Sequence, residues 1–445
     1  MKLTFVGGAE SVTGACYLLE TDTTRVLVDC GLHQGAAAEE RKNARAFPFD
    51  AQSINAVFLT HAHLDHVGLL PKLYADGFRG DVYATHPTLD LARIIVEDEL
   101  GLSERNAPFT ERDIIECWKL THGTHYKEKV LISDTVSVTF YNAGHILGSS
   151  MIEVRVREGE RERVIVFSGD LGNAPAPFLG PPQALEQADV VVVESTYGDR
   201  VHEGRDQRRH KLMDAVVNTV SRGGVLMIPT FAIERSQELL FELNHLIEHR
   251  HIPHVPMFLD SPMAIHATAV YKKFPDYLDT EREKELLGDK NLFDFPGLDT
   301  TLTSEESKSI NDVPSPKVII AGSGMSTGGR IIHHERRYLP DPRSTLLIIG
   351  YQVRGTLGRR LLDGASTVEI FGETIAVRAR IVAIGGYSAH ADQTGLLRWL
   401  GNFTTHPRVF VVQGEEGPAH VFAERAHQDL ALEASVPKEG ISVEF

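Results

Sequence analysis

Short blocks of apolar residues, many of them β-branched, are spaced along the first 200 positions. "LTFV" at 3–6, "CYLLE" at 16–20, "RVLVD" at 25–29 and "AVFLT" at 56–60 each predict a strand. "VSVTFY", "MIEVRV" and "RVIVFSGD" add three more, and "DVVVVEST" at 189–196 adds another. Helical stretches lie between some of them, so the class is mixed α/β. The period then changes. Residues 206–221 read as an amphipathic helix, "GGVLMIP" as a buried strand, 234–249 as a helix, and "VPMFLDSPM" as a strand leading into another helix. Such βα alternation suits a parallel sheet. Thr303 and Glu306 have capping-box spacing, and "KVIIAGSGMSTGGR" runs from a strand into a Gly-rich turn. The tail segments "RARIVAIGGYSAHAD" and "RVFVVQGEEGPAH" return to strands followed by histidine. There is no internal repeat, and the one biased tract is the charged, Pro-containing stretch from about 275 to 316.

A chain of 445 residues exceeds one ordinary core, so two domains, or one domain interrupted by another, are expected. No apolar run approaches the roughly 18 residues that span a bilayer, and "MKLTFVGGAE" lacks the pattern of a secretory leader, so a cytoplasmic protein without membrane partners is expected. Cys16, Cys30 and Cys117 are too few and too scattered for a disulfide framework or a thiolate zinc site. Any metal must then be held by histidine and carboxylate. The net charge of −16 argues against a nonspecific, lysine-coated nucleic-acid binder. It leaves a nuclease open, because carboxylates can hold cations that face phosphate.

The candidate chemistry starts at "THAHLDH". His61, His63, Asp65 and His66 fall on the turn between the strand "AVFLT" and a helix beginning near "VGLLPKL", where side chains can converge. "NAGHILGSS" sets His145 beyond a strand, and "VFSGDLGN" does the same for Asp170, in both cases near glycines that allow close backbone approach. Each group lies just past a strand's carboxyl end, where α/β sheets tend to place their sites. With one later histidine this makes seven ligands, enough for two ions sharing a carboxylate, and nitrogen and oxygen ligands suit Zn²⁺, with Mn²⁺ as a substitute.

"THAHLDH" followed by "GH" and "SGD" resembles the metallo-β-lactamase fold, an αββα sandwich. "VVVESTYGDR", "GYSAHAD" and "QGEEGPAH" resemble the further motifs of the β-CASP RNA nucleases, which include the endonuclease subunit of the cleavage and polyadenylation specificity factor and its prokaryotic homologues. "DSPMAIHAT" and "GSGMSTGGR" are similar to stretches of the inserted β-CASP domain. The resemblance implies a metallo-β-lactamase domain from 1–195 and 378–445, interrupted by a β-CASP α/β domain at 196–377, with substrate entering between them. It implies two Zn²⁺ per chain: His61, His63, His145 and Asp170 on one, and Asp65, His66, Asp170 and His420 on the other. Asp29, in "VLVDCG", would orient a ligand, and Glu194 and His390 would stand next to the leaving group. Histidine at 420 is associated in the family with RNA rather than DNA cleavage.

The expected activity is hydrolysis of single-stranded RNA by endonucleolytic cuts, with 5′-to-3′ exonuclease action also within the family's range and a homodimer admitted. A small-molecule hydrolase of the same fold, a thioesterase or lactonase, is the rival. It would share the metal ligands but has no use for Glu194, His390 or the insert. A noncatalytic RNA-binding subunit is opposed by the intact ligand set. The glycine-rich turn suggests phosphate contacts by Ser323 and Arg330, and Arg354 is a weaker candidate of the same kind. The four histidines of "NHLIEHRHIPH" read as a solvated helix end.

Overall fold

The computed structural model describes residues 1–445 apart from positions 36, 104–106, 175, 203–204, 280–291, 351, 354 and 385–386. Arg354 is therefore outside the described residues. The described chain divides into two compact units, Met1–Val201 with Ala389–Phe445, and His202–Ser388.

In the first unit, two sheets of seven described strands each carry the fold. One runs in the order Ser442–Glu444, Lys2–Gly7, Cys16–Glu20, Arg25–Val28, Ala56–Phe58, Asp81–Thr85 and Thr121–Thr124. The other runs Ala434–Ser435, Arg408–Val412, Val190–Glu194, Arg161–Phe167, Ser150–Glu158, Val136–Asn142 and Lys129–Leu131. Strand alternation explains why they stack. Phe5, Val26, Val28 and Phe58 point from the first sheet into a shared core with Val138, Phe140, Ile165, Phe167, Val192 and Phe410 of the second. The intervening residues Val164, Val166, Val191, Val193, Val409 and Val411 face the opposite way, against Leu396, Trp399, Leu400 and Phe422 of the helices Gln393–Leu400 and Glu416–Leu430. Strands buried on both faces explain the near-continuous valine run at 190–193. The helix His86–Ser103 packs on Asp81–Thr85 and Thr121–Thr124 of the first sheet. The result is the expected αββα sandwich.

The second unit is built on a six-stranded parallel sheet among the described residues: Leu298–Thr300, Met257–Asp260, Lys317–Ala321, Val225–Pro229, Thr345–Ile348 and Arg380–Ala383. The helices Arg205–Ser221, Arg235–Glu248, Pro262–Lys273 and Ile331–Tyr338 alternate with these strands. The capping box at Thr303 forms as its spacing predicts: the Thr303 hydroxyl accepts from Glu306 N, and the Glu306 carboxylate accepts from Thr303 N. Among the described residues, no helix is long and apolar enough to cross a membrane.

Candidate metal centre and its surroundings

The site is assembled from residues that leave the carboxyl ends of strands. Asp29 follows Arg25–Val28, His61 lies shortly after Ala56–Phe58, His145 after Val136–Asn142, and Asp170 after Arg161–Phe167. Glu194 closes Val190–Glu194, and Gln413 follows Arg408–Val412 directly. Glycine makes these turns possible. Gly169, at φ +52°, precedes Asp170, and a Cβ built on it would come within 2.7 Å of Thr60 Cβ.

His61 Nε2 lies 3.1 Å from His63 Nδ1, which lies 3.2 Å from His145 Nε2. Asp170 Oδ2 caps the group, 3.3 Å from His61 Nε2 and 3.5 Å from His145 Nε2. For a tetrahedral ion bound at zinc–nitrogen distances, ligand atoms are separated by about 3.3–3.4 Å. The observed edges fit that figure. Burial, aided by neighbouring histidines, pushes His63 and His145 well below the usual imidazole pKa, so both rings are neutral at pH 7 and can present lone pairs. Burial opposes ionisation of Asp170, but His66, His390 and His61 together hold it well below the usual carboxylate range.

Asp29 fixes the next layer. It is fully buried and left-handed at φ 60°, and it accepts from Thr60 N, Thr60 Oγ1 and His66 Nδ1 at 2.8 Å each. Thr60 Oγ1 also lies 3.0 Å from His61 Nδ1. With both Nδ1 atoms engaged on one side, the Nε2 atoms of His61 and His66 turn toward Asp170, the orientation metal-ligating histidines need.

The second expected ligand set is assembled only in part. Asp170 Oδ1 lies 3.5 Å and Asp65 Oδ2 3.8 Å from His66 Nε2. Asp170 Oδ1 is buried without a hydrogen-bond partner. His420, however, is exposed on the helix Glu416–Leu430, where its nearest metal-capable companions are Glu10 and Glu416. It is not brought to the centre. The physical reason is its place in the chain: the strand Arg408–Val412 delivers its next residue to the site, and by His420 the backbone has entered the helix. The residue delivered is Gln413, 2 % exposed, whose side-chain amide lies 2.7 Å from His66 Nε2. Sequence reasoning missed it, although the rule that had located His145 and Asp170, a polar group at a strand's carboxyl end beside glycine, also fits "VVQGE". The distinction between RNA and DNA drawn from His420 loses its structural basis.

His390 enters through a bridge to Gly172, held by Asn173 N to Ala389 O at 2.8 Å and Ala391 N to Leu171 O at 2.7 Å. Its Nδ1 lies 3.2 and 3.1 Å from the two oxygens of Glu194 and 3.7 Å from Asp170 Oδ2. Glu194 is fully buried and is anchored from behind by Leu171 N at 2.7 Å. Burial disfavours the His390 cation, yet the charges of Glu194 and Asp170 and the hydrogen bond to Glu194 raise its pKa to about 9. The His390 ring centroid is 4.5 Å from that of His145.

The two residues expected to meet phosphate belong to the second unit. Arg330 is engaged there by its own neighbours: Nη1 donates to Asp260 Oδ1 at 2.7 Å and Thr301 O at 2.9 Å, and Nη2 donates to Leu302 O at 2.7 Å. These bonds tie Arg330 to its own unit. Ser323 Oγ accepts from Thr327 N at 3.0 Å and shapes the turn. Of the four tail-end histidines of the helix Arg235–Glu248, His249 bonds back to His245 O at 2.8 Å, which is helix-end packing.

Three family models match the chain: a metallo-beta-lactamase superfamily domain over 18–169, a Beta-Casp domain over 236–361, and a Zn-dependent metallo-hydrolase RNA specificity domain over 374–437. Ribonuclease TTHA0252 of Thermus thermophilus is 41% identical over 416 residues, covering 94% of each chain. The chain belongs to the β-CASP branch of the metallo-β-lactamase superfamily. This β-CASP chain is also similar to an RNase J-like protein of Methanocaldococcus jannaschii, at 32% identity over 98% of both chains. A transcription termination factor FttA from the same organism is 32% identical, covering 98% of this chain and 70% of its own length. In fold it resembles a protein of unknown function from Enterococcus faecalis, with TM-score 0.55, 12% identity and 99% of each chain covered.

Proposed function

We propose that this chain is a metal-dependent ribonuclease that hydrolyses phosphodiester bonds of single-stranded RNA, by internal cuts and with 5′-to-3′ trimming as a second mode. The observation that carries the reading is the pairing of the His61, His63, His145 and Asp170 cluster with a Glu194-bound His390 beside it. A thioesterase or lactonase needs only the first half of that arrangement. The ribonuclease named among its relatives and the RNA specificity domain matched at 374–437 support RNA as the polymer.

Zn²⁺ is the ion that the three imidazoles and one carboxylate suit, with Mn²⁺ as substitute. Bound there, it would supply a hydroxide near neutral pH and offset the negative charge of the phosphate. The chain's own residues do the rest. Asp29 and Thr60 hold the His61 ring and the neighbouring His66 ring, so His61 Nε2 does not have to reorganise during reaction. His390 keeps Nδ1 on Glu194 and presents Nε2 as the proton donor to the departing sugar oxygen. Glu194 itself is fixed by Leu171 N, which sets the direction in which that proton can move.

End-labelled single-stranded RNA and matched DNA incubated with purified protein, with and without chelator, test the proposal. Internal RNA cuts that vanish on chelation are expected. Turnover of a thioester with RNA left intact would replace the reading by the small-molecule one.

A further inference from the structure

We propose that this chain retains one tightly held ion, at His61, His63, His145 and Asp170, and that Gln413 takes the place in which a second ion would need a ligand. The proposal deepens the ribonuclease reading and rests on its metal centre.

Three observations converge. The first is distance. Ligand pairs in the first cluster stand 3.1–3.5 Å apart, the separation an ion between them would impose. Gln413 and His66 Nε2 stand 2.7 Å apart, too close to share a tetrahedral ion and right for a hydrogen bond. The two ends of an amide are interchangeable in such a contact. Whether the NH₂ donates to a lone pair on Nε2 or the carbonyl accepts an Nε2 proton, the position on His66 that a metal needs is in use.

The second is how firmly Gln413 is aimed. Its backbone is left-handed at φ 44°, a conformation that costs a non-glycine residue about 1 kcal/mol or more and persists only when its surroundings fix it. They do so here. Gln413 N donates to Gly8 O at 2.7 Å, and its carbonyl accepts from Ser195 N at 3.3 Å and Thr196 Oγ1 at 3.0 Å. A side chain launched from so constrained a backbone reaches His66 as part of the fold.

The third is what remains. Without His420, the second position has Asp65, His66 and Asp170, and Asp170 is shared with the first ion. A neutral amide oxygen adds no charge and is a weak partner for zinc, whereas imidazole and carboxylate are its usual nitrogen and oxygen ligands. Asp170 Oδ1, buried without a hydrogen-bond partner and 3.5 Å from His66 Nε2, is left to contribute to a weakly held second ion at most.

The test counts metal and needs no RNA. Purified protein is stripped with chelator, reloaded with excess Zn²⁺ or Mn²⁺, desalted and analysed by inductively coupled plasma mass spectrometry, with a competition titration against a chromophoric chelator alongside. Wild type is expected to retain one ion per chain, with any second Zn²⁺ held roughly 10–100-fold more weakly. Gln413→Glu and Gln413→His, which install a zinc ligand at the same spot, are expected to retain two. Gln413→Ala, which removes the amide without adding a ligand, should stay at one. Two ions of similar affinity in wild type would overturn the proposal, as would folded Gln413→Glu and Gln413→His proteins that still hold one. If the variants fail to fold, the wild-type titration decides by itself. Loss of RNA cleavage with one ion bound would instead count against the ribonuclease reading and leave this one standing.

Discussion

At the scale of single residues, polar side chains in this site act in pairs, and each pair fixes one proton. Asp29 with His66, Thr60 with His61, and Glu194 with His390 each engage a ring nitrogen and so decide what the other nitrogen of that ring can do. Replacing His390 by Ala removes the proposed proton donor but no member of the His61, His63, His145 and Asp170 cluster. Cleavage should fall by about 10²–10⁴-fold, while metal content measured after desalting stays at the wild-type value. Metal loss in that variant would move His390 into the ligand set. Residue identities of this kind were largely legible: "THAHLDH", "GH" and "SGD" name the first cluster without a structure. Gln413 was not legible as a site residue, because an amide carries no metal signature and a nearby histidine drew the assignment.

At the scale of elements, turns do the positioning, and glycine and buried carboxylate control the turns. A Cβ on Gly31 would stand 1.5 Å from Asp65 O, in the backbone of the 61–66 turn that carries the proposed ligands. Gly31→Ala therefore cannot be absorbed by a side-chain shift. It should displace the 61–66 turn, and the reconstituted variant should hold less metal than wild type. In the second unit, Glu335 of the helix Ile331–Tyr338 accepts from Ser326 Oγ at 2.5 Å and fixes Ser326 at φ 55° in the glycine-rich turn. Burial raises its pKa from 4.5 to about 7, with the Ser326 hydrogen bond acting against that rise. Between those two values the folded state binds more protons than the unfolded one, so stability falls as pH rises through the interval, and the penalty is complete above it. Relative to wild type, Glu335→Gln should gain about 2.5 kcal/mol between pH 5 and pH 8. Urea denaturation at both pH values reads that difference, and a pH-independent difference would remove Glu335 as the source.

At the scale of the whole molecule, the chain is two units with different kinds of core. Residues 1–201 and 389–445 form the sandwich that carries every ligand discussed, and 202–388 forms the parallel sheet. An ion bound only by the folded sandwich stabilises that unit by mass action, about 4 kcal/mol when free metal is a thousand times the dissociation constant. Chelation should therefore speed amide hydrogen exchange in the strands Val136–Asn142, Arg161–Phe167 and Val190–Glu194. Exchange in Val225–Pro229 and Lys317–Ala321 should change little. Equal acceleration in both units would mean that the ion supports more than the sandwich.

The sequence by itself determined the class of fold, the alternation of strands and helices, and the residues of the cluster His61, His63, His145 and Asp170. Each of these is written in short local stretches, in apolar runs of strand length or in brief motifs that each name one or a few polar residues. The strand Val190–Glu194 and the turn "THAHLDH" are examples. Only the tertiary structure decided that His420 stands on an exposed helix, that Arg330 is tied to Asp260, and that Gln413 meets His66 across 347 positions of chain. The reason is physical: which side chain a strand end delivers depends on register and on where the next helix begins. A shift of one residue reverses the facing and is invisible to composition or spacing.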